Sequence, residues 1–252
     1  MTVFITGAAA GIGAATANAF AAAGFEVAMG DLNLDAVEQA AQSLTGVVAS
    51  YEIDVRDRSS MERACSSAVA ALGPLDVWVS CAGVSSMGRF VDLTDEEIDW
   101  HLDVNVRGTL VGGQIAARQM IDQGSGGAIV NVASMAGKRG GVPLLAHYVA
   151  SKFAVVGLTQ AMACELAPSN IRVNSVCPGY VRTGMQEREI AWEAELKGIT
   201  KEEVVDFYLS DTPLGRLQTP EEVADLIVFL ASEKAQSITG ESVAINGGSY
   251  ME

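Results

Sequence analysis

Ligands for metal are scarce in this chain. Two histidines and four cysteines (Cys65, Cys81, Cys164, Cys177) occur in 252 residues, and no two cysteines follow a Cys-x-x-Cys spacing. Structural zinc sites need clustered ligands, so none is expected, and the cysteines read as small buried thiols of a reducing compartment. Basic residues are also few. Sixteen Lys and Arg against 31 Asp and Glu leave a net charge of −15, which repels nucleic acid and anionic membrane surfaces alike. No run of about 18 uninterrupted apolar residues is present, so no membrane span is expected. The opening Met1-Thr2-Val3-Phe4-Ile5-Thr6-Gly7 lacks the charged start and long apolar stretch of a signal peptide. These absences point to a cytoplasmic protein that acts on a small molecule.

What is present fits a tightly packed enzyme. Hydrophobic residues make up 49% and charged residues 19%, with 26 glycines, a balance that argues against disorder. The length suits one large α/β domain spanning 1–252. Short β-branched runs at 3–6, 26–30, 47–53, 77–80, 128–133, 171–177 and 242–245 alternate with helical segments near 11–23, 34–44, 59–72, 95–121, 149–167 and 220–231. Continuous apolar strands separated by helices predict a seven-stranded parallel sheet covered on both faces, a single-domain Rossmann-type doubly wound fold. Ligands in such folds bind beyond the carboxyl ends of the strands. Residues 180–215 contain no strand pattern and are rich in Glu, so they read as a substrate-binding lid.

The first strand runs into Thr6-Gly7-Ala8-Ala9-Ala10-Gly11-Ile12-Gly13 and then an Ala-rich helix. Gly7, Gly11 and Gly13 allow a sharp turn and close approach to a pyrophosphate, which the helix N-terminus beside Ile12 would hold. The second strand ends at Asp31. A carboxylate there accepts from the adenosine ribose hydroxyls and repels a 2′-phosphate, which favours NAD over NADP. Asp31 also reads as a helix N-cap. Asp54 and Val55, after the third strand, are placed to touch the adenine.

Tyr148 and Lys152 stand four apart, on one face of a helix. A free phenol has a pKa of about 10, and a neighbouring ammonium would lower it toward the working range of a proton acceptor. Ser134 follows the strand Ile129–Ala133, where its hydroxyl would bond the substrate oxygen, although such a serine is also an ordinary turn or cap residue. Asn105 is a polar amide among apolar helix neighbours.

Taken together, Thr6-Gly7-x-x-x-Gly11-x-Gly13, Asp54-Val55, Ala82-Gly83, Asn105, Ser134, Tyr148-x-x-x-Lys152, Pro178-Gly179 and Thr183 resemble the short-chain dehydrogenase/reductase family over essentially the whole chain. The resemblance implies catalytic roles for Asn105, Ser134, Tyr148 and Lys152, with Asn105 holding a water that relays protons from Lys152. It implies nicotinamide contacts from Pro178, Gly179, Val181 and Thr183, cofactor support from Ala82 and Gly83, and a homotetramer. Ser80-Cys81 stands where the family often has two asparagines, and the spacing from Ser134 to Tyr148 is about one residue long, so the loop between them should bulge. Within the family the stretch 148–217 looks most like sugar-alcohol (sorbitol, galactitol) and acetoin/butanediol dehydrogenases. The expected reaction is NAD-linked oxidation of a polyol or vicinal diol, with His147 and Trp192 joining Ser134 and Tyr148 around the substrate. A 3-oxoacyl carrier-protein reductase is the alternative, and a cofactor-binding regulator without turnover is the reading outside enzymes.

Overall fold

The computed structural model describes residues 1–251. Seven strands, β1 (Thr2–Thr6), β2 (Glu26–Asp31), β3 (Val48–Glu52), β4 (Leu75–Ser80), β5 (Gly127–Val132), β6 (Ile171–Pro178) and β7 (Ser242–Ile245), form one sheet. Their order is β3-β2-β1-β4-β5-β6-β7, and every pairing is parallel. The chain winds outward from β1 in one direction and from β4 in the other, so a crevice opens where these two central strands end. All five residues of β1 are buried, as the all-apolar strand pattern requires of a sheet covered on both faces.

Helices α1 (Gly11–Ala22), α2 (Leu34–Ala41), α3 (Arg58–Leu72), α4 (Asp95–His101), α5 (Gly108–Gln123), α6 (Ala146–Leu166), α7 (Gly184–Lys197), α8 (Lys201–Ser210) and α9 (Pro220–Ala231) complete the chain. Two apolar clusters fill the faces of the sheet. One places Phe4, Trp78, Met61 and Ile129 under α3 and α5. The other places Ile5, Met29, Phe20 and Ile227 under α1 and α9. Trp78 is the largest fully buried side chain, stacked on Phe4 at 4.7 Å between ring centroids. Its indole N–H donates to Ser80 Oγ (3.1 Å). Helix α5 approaches this ring through Gly112, where a Cβ would stand 3.0 Å from the indole.

The structure corrects two expectations, on the helix 95–121 and on Cys164, and adds detail to two others. The predicted helix 95–121 is interrupted, since Leu102–Arg107 form a π-helical segment between α4 and α5, and such widened turns gather at functional sites. Residues 180–215 carry two helices, α7 and α8, the second opened by a reciprocal capping box of Thr200 and Glu203. Cys164 is exposed, unlike the buried Cys65 and Cys177. And Ala146–Ser169 is long and apolar enough to cross a membrane by length and composition. That stretch is a helix of the sheet's own packing, because α6 lies along β6 and buries Lys152.

Truncating Trp78 to Ala should cost about 3–5 kcal/mol, because the ring is wholly enclosed and the stacked partner cannot collapse into its place. Urea denaturation of Trp78→Ala against the parent measures this; a loss below about 1 kcal/mol would mean the ring is not central to this cluster.

Candidate active site

The crevice at the ends of β1 and β4 holds a cavity of about 320 Å³ and, beside it, a lobe of about 270 Å³ that shares Gly7, Asp31, Ala82, Gly83 and Val84 with it. Backbone geometry dictates the glycines. Gly7 and Gly11 have φ of +67° and +54°, a region L side chains avoid. A Cβ on Gly7 would lie 2.6 Å from Ala82 Cα, and one on Gly13 only 2.0 Å from the Gly7 carbonyl oxygen. Helix α1 then begins at Ala10 with no side-chain cap, whereas α2, α3, α4, α7, α8 and α9 are each capped by an Asn, Asp or Thr. Its first N–H groups face the cavity lined by Ala10, Gly11, Ile12 and Gly13, an anion-binding arrangement.

Asp31 is not the N-cap of α2, since Asn33 takes that place. Its carboxylate instead accepts from the backbone N–H groups of Ala9 (3.1 Å) and Asn33 (3.2 Å), and so braces the glycine turn from the cavity edge. Thr6 Oγ1 accepts from the N–H groups of both Cys81 and Ala82 (3.1 Å each). The join between β1 and β4 therefore passes through Thr6, which makes good the missing asparagines, while Ser80 is occupied with Trp78. In the second lobe Asp54 and Val55 line the wall as expected, but the Asp54 carboxylate is gripped by Arg56 (2.7 Å), whose hydrogen bond holds it below the usual carboxylate range.

Helix α6 starts earlier than predicted, at Ala146, and places Tyr148 and Lys152 on the cavity wall with Ser134 opposite. Lys152 is buried; its Nζ donates to the Val132 carbonyl (3.0 Å) and stands 5.6 Å from the centre of the Tyr148 ring. Gly83 lies beside it: a Cβ there would make an ordinary 3.5 Å contact with Nζ and a tighter one, 3.3 Å, with Asn105 Oδ1. Burial pulls the lysine down to about 8, against the opposing pull of Cys81, Cys177 and Glu189. The phenol moves the other way from the expectation. Burial and the Glu189 carboxylate raise Tyr148 above its ordinary value, and the Ser134 hydroxyl offsets only part of this. Desolvation of the charged form is the largest of these effects. Ser134 does double duty, because its Oγ also accepts from Ala136 N–H (3.1 Å) as the cap of a short 3₁₀ turn.

Three expected residues lie off the cavity. Asn105, 1% exposed, has its amide engaged at both ends: Oδ1 accepts from Val84 N–H (2.8 Å), and Nδ2 donates to the Val84 carbonyl and Ser151 Oγ (3.0 Å each). It clamps the strand end beside Gly83, with both amide hydrogens committed and one lone pair of Oδ1 still open. His147 points away from the cavity. Its ring lies 4.0 Å from that of His101, and its Nε2 bonds Ser86 Oγ (2.9 Å), whereas His101 Nε2 accepts from Ser86 N–H (3.1 Å). The two histidines of the chain thus hold Ser86 from both sides. Trp192 is half-buried on α7 but lies outside both lobes. The loop before α6 does turn sharply, with Leu144 at φ +68° and its carbonyl accepting from Gly88 N–H (2.9 Å).

Pro178, Gly179, Val181 and Thr183 line the far wall, where Thr183 caps α7 and touches Gly11 across the mouth. The first turns of α7 add Gln186, Arg188 and Glu189. Gln186 and Ser85 escaped the sequence reading; the only signal was their position, one in the first turn after a cap and one just beyond a central strand.

Comparison with known proteins places this geometry. The family described as enoyl-(acyl carrier protein) reductase matches residues 7–250. The 3-oxoacyl-(acyl-carrier-protein) reductase of Thermotoga maritima is 39% identical over 97% of this chain and 95% of its own length. The L-2,3-butanediol dehydrogenase of Corynebacterium glutamicum is 38% identical over 97% of this chain and 96% of its own. A crystal structure of a short-chain type dehydrogenase/reductase from Mycobacterium marinum superposes with a TM-score of 0.91 at 37% identity, covering 100% of this chain and 96% of that one.

Burial and the neighbouring His101 lower His147 to about 4, from an ordinary value of about 6.5. The unfolded chain therefore takes up a proton as pH falls through about 6.5, while the folded chain resists until about 4. Stability should be fully present above that window and fall by about 1–3 kcal/mol within it. Urea midpoints at pH 7 and 5 check this, and His147→Gln should flatten the difference. A slope unchanged in that variant would remove His147 from the account.

Proposed function

The chain belongs to the short-chain dehydrogenase/reductase family, and from that premise we propose that this oxidoreductase interconverts a small polyol or vicinal diol and the corresponding hydroxyketone with NAD. The observation that carries the reading is the convergence of Tyr148, Lys152 and Ser134 with the glycine turn and Asp31 on one cavity.

The residues fit a nicotinamide dinucleotide: a Cβ would fill the cradle at Gly7 and Gly13, and an uncapped helix end meets it. Gly11, Ile12 and Gly13 would hold the pyrophosphate, Asp31 the adenosine ribose, Asp54, Val55, Ala82 and Gly83 the adenine side, and Pro178, Gly179, Val181 and Thr183 the nicotinamide end. The bound dinucleotide supplies the hydride acceptor, which no side chain can provide. NAD rather than NADP is supported by Asp31 and by Arg56, the single basic side chain of the second lobe, which is committed to Asp54.

In the oxidation direction Tyr148 takes the substrate hydroxyl proton, and Ser134 donates to the same oxygen. Burial lowers Lys152 to about 8, so its neutral amine can receive the proton that leaves Tyr148 before the phenolate takes the substrate's. Asn105 acts by positioning, through Val84 and Ser151. Since the chain alone leaves the phenol protonated, ionisation is driven by what fills the cavity. The 3-oxoacyl alternative draws on the Thermotoga relative, but a net charge of −15 works against an acidic carrier protein. Exposed apolar side chains on α5 and α6, Leu110, Ile121 and Phe153 among them, support the proposed homotetramer.

Tyr148→Phe should lower kcat by at least about 1,000-fold, in line with removal of a positioned acid–base group, while NADH fluorescence shows binding within about threefold of the parent. A variant that keeps more than a tenth of parent activity would refute the role. Asp31→Ala should raise kcat/KM with NADP relative to NAD by about tenfold or more, the scale of one lost charge repulsion; an unchanged ratio would leave the coenzyme choice to other residues.

A further inference from the structure

A carboxylate stands in the reaction cavity with no part in the proton transfer described above. Glu189 lies two turns into α7 from its Thr183 cap and lines the same wall space as Tyr148, Lys152 and Ser134. It is close enough to both Tyr148 and Lys152 to shift their titration. Gln186 Nε2 donates to its Oε2 (3.1 Å), which fixes the carboxylate on the wall.

A second observation comes from Ser85, on the segment after β4. This side chain is 4% exposed. Burial raises Glu189 above the usual carboxylate range, and a hydrogen bond from Ser85 opposes part of that rise. With its one proton turned to that carboxylate, the Ser85 hydroxyl supports the charged form of Glu189 from behind the wall. The segment is not free to relax. Ser86 is tied to His101 and His147, and Gly88 is tied to Leu144. The histidine pair thus holds Ser85 in place opposite α7.

We propose that Glu189, supported by Gln186 and Ser85, reads a hydroxyl on the carbon next to the reacting carbinol, with the substrate O–H donating to the Glu189 carboxylate. This rests on the alcohol-oxidising reading above and names its substrate class: a vicinal diol, or an α-hydroxyketone in reduction. A carboxylate at this position repels 2-hydroxy acids and leaves a simple alcohol with an unpaired anion. Selection comes from the partner that the wrong substrate fails to supply, which is the strong form of polar discrimination.

The test uses the full-length protein with NAD⁺ and two matched probes, 2,3-butanediol and 2-butanol. The parent should prefer the diol in kcat/KM by about 10- to 100-fold, the range for a hydrogen bond to a charged group. Glu189→Leu should lose most of that preference, its kcat/KM for 2,3-butanediol falling by a clearly larger factor than that for 2-butanol. Glu189→Gln, which keeps an acceptor oxygen and the fold of α7, should fall between. NADH fluorescence titration of each variant shows that the dinucleotide site is intact. Equal losses on both probes, or an unchanged preference, would overturn the subsite while leaving the alcohol dehydrogenase reading in place. Preference for 3-amino-2-butanol over the diol would overturn it in favour of an ammonium site. Turnover of acyl ketones alone, with neither probe oxidised by the parent, would end both readings.

Discussion

A lysine taken out of water must be held by something, and the site is organised around that demand. Lys152 donates a hydrogen bond to the Val132 carbonyl at the end of β5, lies beside Gly83, and is lowered to about 8. Because burial penalises the charged ammonium and the charged phenolate alike, the lysine gives up its proton more readily than a free lysine and the phenol less readily than a free tyrosine. Glu189 biases both groups from across the cavity, raising the phenol and supporting the ammonium.

Close backbone packing and two buried polar side chains position this pair. Gly137 lets the turn after Ser134 sit on α6, since a Cβ there would meet the Lys152 carbonyl at 2.6 Å. Asn105 ties the end of β4 to α6 through Ser151, whose own hydroxyl donates to the Tyr148 carbonyl (2.7 Å). The π-helical turn around Asn105 brings its amide to both partners. Loss of that amide would leave buried backbone groups of Val84 unpaired, a cost of about 1–3 kcal/mol each, and would loosen the wall on which Lys152 and Gly83 meet. Catalytic geometry here is thus inherited from helix–strand packing.

The parts legible in the sequence are those where the backbone or a fixed helical spacing leaves little choice. Glycines at 7, 11 and 13 announce a turn because no side chain fits there, and Tyr148 with Lys152 face one way because four residues make about one turn. Seven apolar strands could be placed because a doubly covered sheet hides nearly every side chain. What escaped the sequence depends on contacts between distant segments. His147 sits next to Tyr148 in the chain, yet α6 turns it toward His101 and Ser86, 61 positions from the latter. Trp192 shares a helix with Glu189, but one turn of α7 carries it off the wall. The lysine's effect on the phenol was misjudged because charge proximity can be read from spacing, whereas desolvation depends on the whole surrounding fold.

That last point sets the decisive measurement, the ultraviolet absorbance of tyrosinate at Tyr148, titrated with and without saturating NAD⁺ and assigned by difference from Tyr148→Phe. The account predicts a phenol that stays protonated above its ordinary pKa in the protein alone and ionises about one pH unit or more lower once the dinucleotide is bound. Identical titrations in the two states, or a phenol already ionised near neutrality without ligand, would contradict it.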